Sequence, residues 1–277
     1  MNYQVIILFI VYMVFLISLG YFRPEDNKSK FLIRKSVHLI TGLLIFFLTF
    51  QVSKQALLIL FIAGTIFSFC TYFIKRLNYI HVTGESSWGT LFYPVGILLS
   101  YLILYNMPLY YFQITLLFLA ISDTVANTGG YLVTGNPKFV ILNEKKSPIG
   151  ILGFAITAFP IALALLPDSD METIFYILLA IIFAIHFEII SYKGSDNLAI
   201  PAGTALFFYI THGKDINILW ITSVMLAMAL VSVLLYRTGT LTRNGSIAAH
   251  LLGIYIFGIL GIEWGLPVTF FFVSSTF

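Results

Sequence analysis

The sequence predicts an all-α fold: a polytopic membrane helical bundle of about nine to ten transmembrane helices, with the N-terminus outside. Three observations lead there. Of 277 residues, 59% are hydrophobic and only 10% charged, whereas soluble domains carry about 25% charged residues. Apolar runs of membrane-spanning length recur along the chain, and the mean hydropathy is +0.96. Lysine and arginine fall almost wholly in alternate connections. The net charge of +3 is small and gives no reason to expect a nucleic-acid partner. A lone cysteine, Cys70, excludes an intramolecular disulfide and a cysteine-ligated metal site.

Taken in order, the first run covers residues 5–22. No basic residue precedes it and no small-x-small cleavage site follows, so it reads as a span rather than a secretory signal. The predicted spans are residues 3–21, 37–50, 56–74, 88–105, 109–133, 149–166, 173–191, 198–211, 216–236 and 246–262. The second and eighth are short, which implies tilt, extension or a partly interfacial position. Pro201 and Gly203 in the eighth predict a broken helix lining a site. Residues 266–277 begin another apolar run that stops short, as in a truncated second domain.

Placing these spans across a bilayer puts all of the 15 lysines and arginines on one side except Lys54 and Lys214. The positive-inside rule assigns the richer side to the cytoplasm; in a prokaryote the membrane would be the plasma membrane. The polar residues capable of chemistry gather on that side too.

Asp123 is the most informative of them. A carboxylate inside a span must face a polar cavity, a partner or a metal. Asn127 lies four residues on, along the same helical face. Glu188, Asp196 and Asn197 form a second polar group, and hard oxygen ligands of this kind suit Mg2+ bound to substrate phosphates. Lys145, Lys146 and Ser147 form a candidate phosphate cradle. Arg34 and Lys35 suit phosphates or anionic headgroups, and His38, four residues after Arg34, suits a general base. Plainer readings stand beside these. Asp123 and Asn127 could bond between helices, Arg34 and Lys35 could only mark topology, Asp196 and Asn197 could sit in a solvated loop, and His38 could be an interhelical hydrogen-bonding residue. No Walker-type loop, dinucleotide fingerprint or nucleophile elbow is present.

Five motifs in order carry a resemblance: Arg34-Lys35-x-x-His38; Gly84-Glu85-x-x-Trp88-Gly89-Thr90-x-x-Tyr93-Pro94; Ser122-Asp123-x-x-Ala126-Asn127; Asn143-Glu144-x-Lys146-Ser147-x-x-Gly150; and Glu188-x-x-Ser191-x-x-Gly194-x-Asp196-Asn197-x-x-x-Pro201. Together they resemble the phytol kinase and dolichol kinase group, which is related to the CTP-dependent phosphatidate cytidylyltransferases. The resemblance implies phosphoryl transfer from a nucleotide, typically CTP, to an isoprenoid alcohol with Mg2+. It implies that Asp123, Asn127, Glu188 and Asp196 fall on the acidic, metal-ligating positions and Lys146 on the basic one. Taken with the residues themselves, catalytic roles are expected of His38, Asp123 and Lys146, and nucleotide contacts of Arg34, Lys35, Lys145, Lys146, Ser147 and Asn197. Ser122 stands where that group usually has glycine, and Asn127 where it often has a second acid, which leaves metal number and nucleotide open. Leu241-Thr242-Arg243-Asn244-Gly245-Ser246-Ile247-Ala248-Ala249 resembles the opening of the phytyl-phosphate kinase family. The expected division is therefore residues 1–236 and 237–277.

Two other activities fit the same residues. A cytidylyltransferase making a CDP-lipid from phosphatidate would need the same metal-bound nucleotide. A transporter would use Asp123 and Glu188 as coupling-ion ligands, but the chain shows no internal repeat and its charges collect at one interface.

Overall fold

A computed structural model describes residues 26–73, 88–133, 135, 138–141, 144–168, 170–191, 193–212 and 218–276. The predicted first span, Lys75, Arg76, Gly84, Glu85, Asn143 and Lys214 lie outside the described residues. The chain is an all-α membrane bundle, and among the described residues six helices are long and apolar enough to cross a bilayer.

The first helix, α1 (Asn27–Leu48), is capped by Asp26, whose carboxylate accepts the Ser29 amide at 2.7 Å. This short predicted span is thus extended at its N-terminal end to 22 residues, enough for about 33 Å of rise. The next helix, α2 (Lys54–Phe73), packs on α3 (Gly89–Ile103). Pro94 lies inside α3 and offers no N–H to the carbonyl one turn back, that of Thr90. The Ser68 hydroxyl of α2 donates to that carbonyl at 3.1 Å, so a polar side chain between helices replaces the missing bond.

The centre of the bundle is a continuous 24-residue rod, Leu109–Leu132, with 72% of its span buried, against 11–39% for the other five long helices. It comprises α4 (Leu109–Leu117), a π-helical turn at Phe118–Ser122, and α5 (Asp123–Leu132). Gly42 of α1 lies so close to this turn that a Cβ there would overlap that of Ala120. Buried Gln113 donates to the Thr49 hydroxyl at 2.8 Å, joining the rod to the end of α1.

After the rod comes a short two-stranded sheet, β1 (Phe139–Ile141) with β2 (Glu144–Lys146). Ser147 then caps α6 (Pro148–Leu165), with Pro148 in the first turn, where its missing N–H costs nothing. Gly150 and Gly153 bring α6 against Ala126 and Val125 of α5. Asp170 caps α7 (Met171–Ile190) by accepting the Thr173 amide at 2.8 Å, and α8 spans Asp196–Thr211.

The predicted break at Pro201 does not occur. Pro201 sits early in α8, where the carbonyl it leaves without a helical donor is that of Asn197 in the first turn. That turn lies against Gly96 of α3, with the Pro201 ring and the Asn197 carbonyl filling the space a Cβ would need. The helix is continuous through the proline. At 15 and 16 residues, α3 and α8 are shorter than the six long helices.

The C-terminal helices are α9 (Ile218–Arg237), α10 (Arg243–Gly253, continued by a π-helical run Ile254–Leu260) and α11 (Ile262–Thr276). They belong to a compact unit made of Val140–Asn143 and Ile210–Phe277. Within it α9 packs on α10, with Gly253 seated on Met228. Side chains such as Leu219, Leu226, Phe270 and Phe271 are exposed, which suits a lipid solvent and not water.

Candidate functional site

Five segments of the larger unit bring ionisable groups to one place. Lys35 comes from the third turn of α1, and Asp123 opens α5 directly after the π-helical turn. Lys146 ends β2 and Glu188 lies in the last turn of α7. Asp196 opens α8. The π turn inserts an extra residue into the rod just before Asp123, a distortion common at functional sites. Ser122 and Asp123 are both fully buried there.

Asp123, Glu188 and Asp196 each place a carboxylate oxygen within 4.8 Å of the other two. Asp123 has a hydrogen-bond partner on each oxygen. Its Oδ2 accepts from Lys35 Nζ at 2.7 Å, and its Oδ1 accepts from the Asn127 amide at 2.6 Å. Glu188 Oε1 is paired with Lys146 Nζ at 2.9 Å. Glu188 Oε2 is buried and has no hydrogen-bond partner. Asp196 accepts from the Asn197 backbone amide at 3.0 Å. In their charged forms the set carries three negative and two positive charges. Burial alone pulls the Lys146 ammonium down, but Glu188, Asp196 and Asp123 outweigh it and hold it above its ordinary value.

Three hard oxygen ligands in this arrangement fit a divalent cation such as Mg2+, with the partnerless Glu188 Oε2 as an acceptor still to be filled. Asn197 supports the frame: its Nδ2 donates to the Gly89 carbonyl at 3.0 Å, tying the first turn of α8 to that of α3. Asn197 is 3% exposed, so it is not in a solvated loop.

Several expected contacts take another form. Lys35 is not an open phosphate or headgroup contact, because its ammonium is buried on Asp123. Ser147 is committed locally: its Oγ accepts the Gly150 amide at 3.0 Å as the α6 cap and lies against Gly130. Lys145 is exposed, as strand alternation requires when Lys146 points inward. His38 stacks on Tyr93 with ring centroids 4.4 Å apart, and Tyr93 donates to the His38 carbonyl at 2.7 Å. Among the described residues, no hydrogen bond joins the His38 ring to the three carboxylates, and its buried Nδ1 has no partner. Arg34 is half-buried, with its Nε likewise unpartnered among the described residues. The part of Tyr93 in positioning α1 had no sequence signal beyond its place in a motif, and Gly96 had none.

The two neighbouring lysines should therefore behave differently. Lys146→Met strands a buried carboxylate and is expected to cost about 3–5 kcal/mol. Lys145→Met should stay within about 0.5 kcal/mol. Thermal unfolding in detergent checks both. Because its value is raised, the Lys146 contribution is complete below the unfolded-state lysine pKa and is lost as pH rises through the folded one.

No family model matches the chain, and no solved structure matches it. An uncharacterized protein of Methanocaldococcus jannaschii is 28% identical over 195 residues, covering 67% of this chain and 94% of that protein. The name of that relative carries no activity, so function rests on the site.

Proposed function

We propose that this chain is a membrane kinase for an isoprenoid alcohol, using CTP or another nucleotide with Mg2+ at the cytoplasmic face. The observation that carries this reading is the convergence of Asp123, Glu188 and Asp196 with two lysines, Lys35 and Lys146, at one place. The resemblance of the five motifs to the phytol and dolichol kinase group supports it, and the positive-inside distribution supports the sidedness.

In the reaction the alcohol oxygen forms a bond to the γ-phosphorus, the β–γ bridging P–O bond breaks, and the nucleoside diphosphate leaves with the electron pair. Asp123, Glu188 and Asp196, with Asn127 beside them, would hold Mg2+, which supplies charge neutralisation on the transferring phosphoryl group. Lys146 adds a positive charge next to the metal ligands. His38 is the group assigned to receive the alcohol's proton, its buried Nδ1 having no other partner. The exposed apolar helix faces provide a bilayer route for a long-chain acceptor.

The test is product analysis with the purified protein, CTP, Mg2+ and two acceptors, an isoprenoid alcohol and phosphatidate. The kinase reading expects CDP and a lipid phosphate from the alcohol. Pyrophosphate and a CDP-lipid from phosphatidate would replace it with cytidylyl transfer. Solute uptake into proteoliposomes without nucleotide, lost in Asp123→Asn, would replace it with transport.

A further inference from the structure

Three carboxylates within 4.8 Å repel one another, yet the cluster is held by two ammonium groups of the chain itself. The two pairs differ. Lys146 and Glu188 retain 14% and 8% side-chain exposure, whereas Lys35 and Asp123 retain 4% and 0%. So complete a burial makes the Lys35–Asp123 pair a poor stabilising device, since an apolar pair of similar volume would serve the fold as well. The carboxylate that a divalent ion would need is also the one whose two oxygens each already accept a hydrogen bond, one of them from an ammonium.

We propose that Lys35 is an internal counter-cation. It occupies Asp123 until a divalent ion arrives, and it then transfers its ammonium to the phosphates of the nucleotide bound with that ion. The proposal rests on the metal–nucleotide reading above. A divalent ion and an ammonium compete for Asp123 Oδ2, while Glu188 Oε2, buried without a partner, is a ligand direction already open. Adding a divalent ion to three carboxylates and two lysines changes the charge of the set from −1 to +1. An anionic phosphate restores the balance and gives the displaced ammonium a partner. Lysine suits the exchange, because a flexible four-carbon stem carries a compact charge through a few ångströms without backbone movement. Metal and nucleotide binding are then positively coupled, each strengthening the other by the same factor.

The test is Mn2+ titration, followed by electron paramagnetic resonance, on the full chain in detergent. It is run with and without a non-hydrolysable CTP analogue, for wild type and for Lys35→Gln, Lys35→Met and Lys35→Arg. Lys35→Gln keeps a hydrogen-bond donor to Asp123 and so protects the fold where methionine removes it; a single symmetric gel-filtration peak identifies the folded variants. The expected result is that Gln and Met bind Mn2+ alone about tenfold more tightly than wild type. The enhancement by nucleotide should shrink in both, and Arg should keep the wild-type pattern. Equal or weaker Mn2+ binding by folded Lys35→Gln overturns the proposal, as does a nucleotide enhancement undiminished by that change. Failure of the kinase reading shows itself separately, as intact Mn2+ binding and nucleotide coupling with no transfer to an isoprenoid alcohol.

Discussion

Asp123→Asn is expected to lower alcohol-kinase turnover by more than about 100-fold while the protein still folds. Loss of a residue that merely supports a metal ligand costs 10–100-fold, and Asp123 is assigned as a ligand itself. Asparagine keeps the side-chain shape and an acceptor oxygen for Lys35, so the buried ammonium retains a hydrogen bond. Asp123→Ala should behave differently. It leaves Lys35 in a site where its side chain is 4% exposed, without its paired carboxylate, at a cost of about 3–5 kcal/mol. Adding Lys35→Met to Asp123→Ala removes the stranded charge, and the double variant should regain most of the lost thermal stability and none of the turnover. Melting curves in detergent, run beside the kinase assay, separate the two effects. A double variant no more stable than Asp123→Ala would show that the pair is not the buried unit described.

Gly96→Leu is the second large effect expected, and it touches no ionisable residue. A side chain at this position meets the Asn197 carbonyl, the Pro201 ring and the Leu198 Cα, two of them backbone atoms that cannot swing aside. Overpacking of this kind costs about 1–3 kcal/mol. The contact falls on the first turn of α8, so relief of the clash moves Asp196 and weakens the Asn197 bond to the Gly89 carbonyl. Turnover should fall at least about tenfold, because displacement of about 1 Å in a positioned group can cost about 100-fold. The apparent Mn2+ affinity should fall with it. A Gly96→Leu protein with wild-type metal affinity would mean that α8 does not position a ligand.

The fold was legible because long apolar runs report helices directly, as at Met171–Ile190 and Ile218–Arg237. The acidic members of the site were legible for a related reason: a carboxylate such as Asp123 stands out in an apolar span. What partners them was not. Lys35 is one of a basic pair at a helix start, where topology alone accounts for positive charge. Only the three-dimensional path of α1 puts it on a residue 88 positions away. Ser147 looked like a phosphate contact because its neighbours are lysines, yet its spacing to Gly150 also fits an α6 cap, the role it takes. Pro201 predicted a break because local propensity knows nothing of Gly96. The π-helical turn before Asp123 has no local sequence signature, since it reflects how α1 and α6 pack around the rod.

The most direct measurement is anomalous X-ray diffraction from crystals grown with Mn2+ and a non-hydrolysable CTP analogue, recorded near the manganese edge. One anomalous peak or more is expected among Asp123, Glu188 and Asp196, with nucleotide phosphates on the same ion and the Lys35 ammonium moved off Asp123 onto a phosphate oxygen. A nucleotide bound with its manganese elsewhere, or Lys35 still paired with Asp123 beside an occupied metal, would contradict the account.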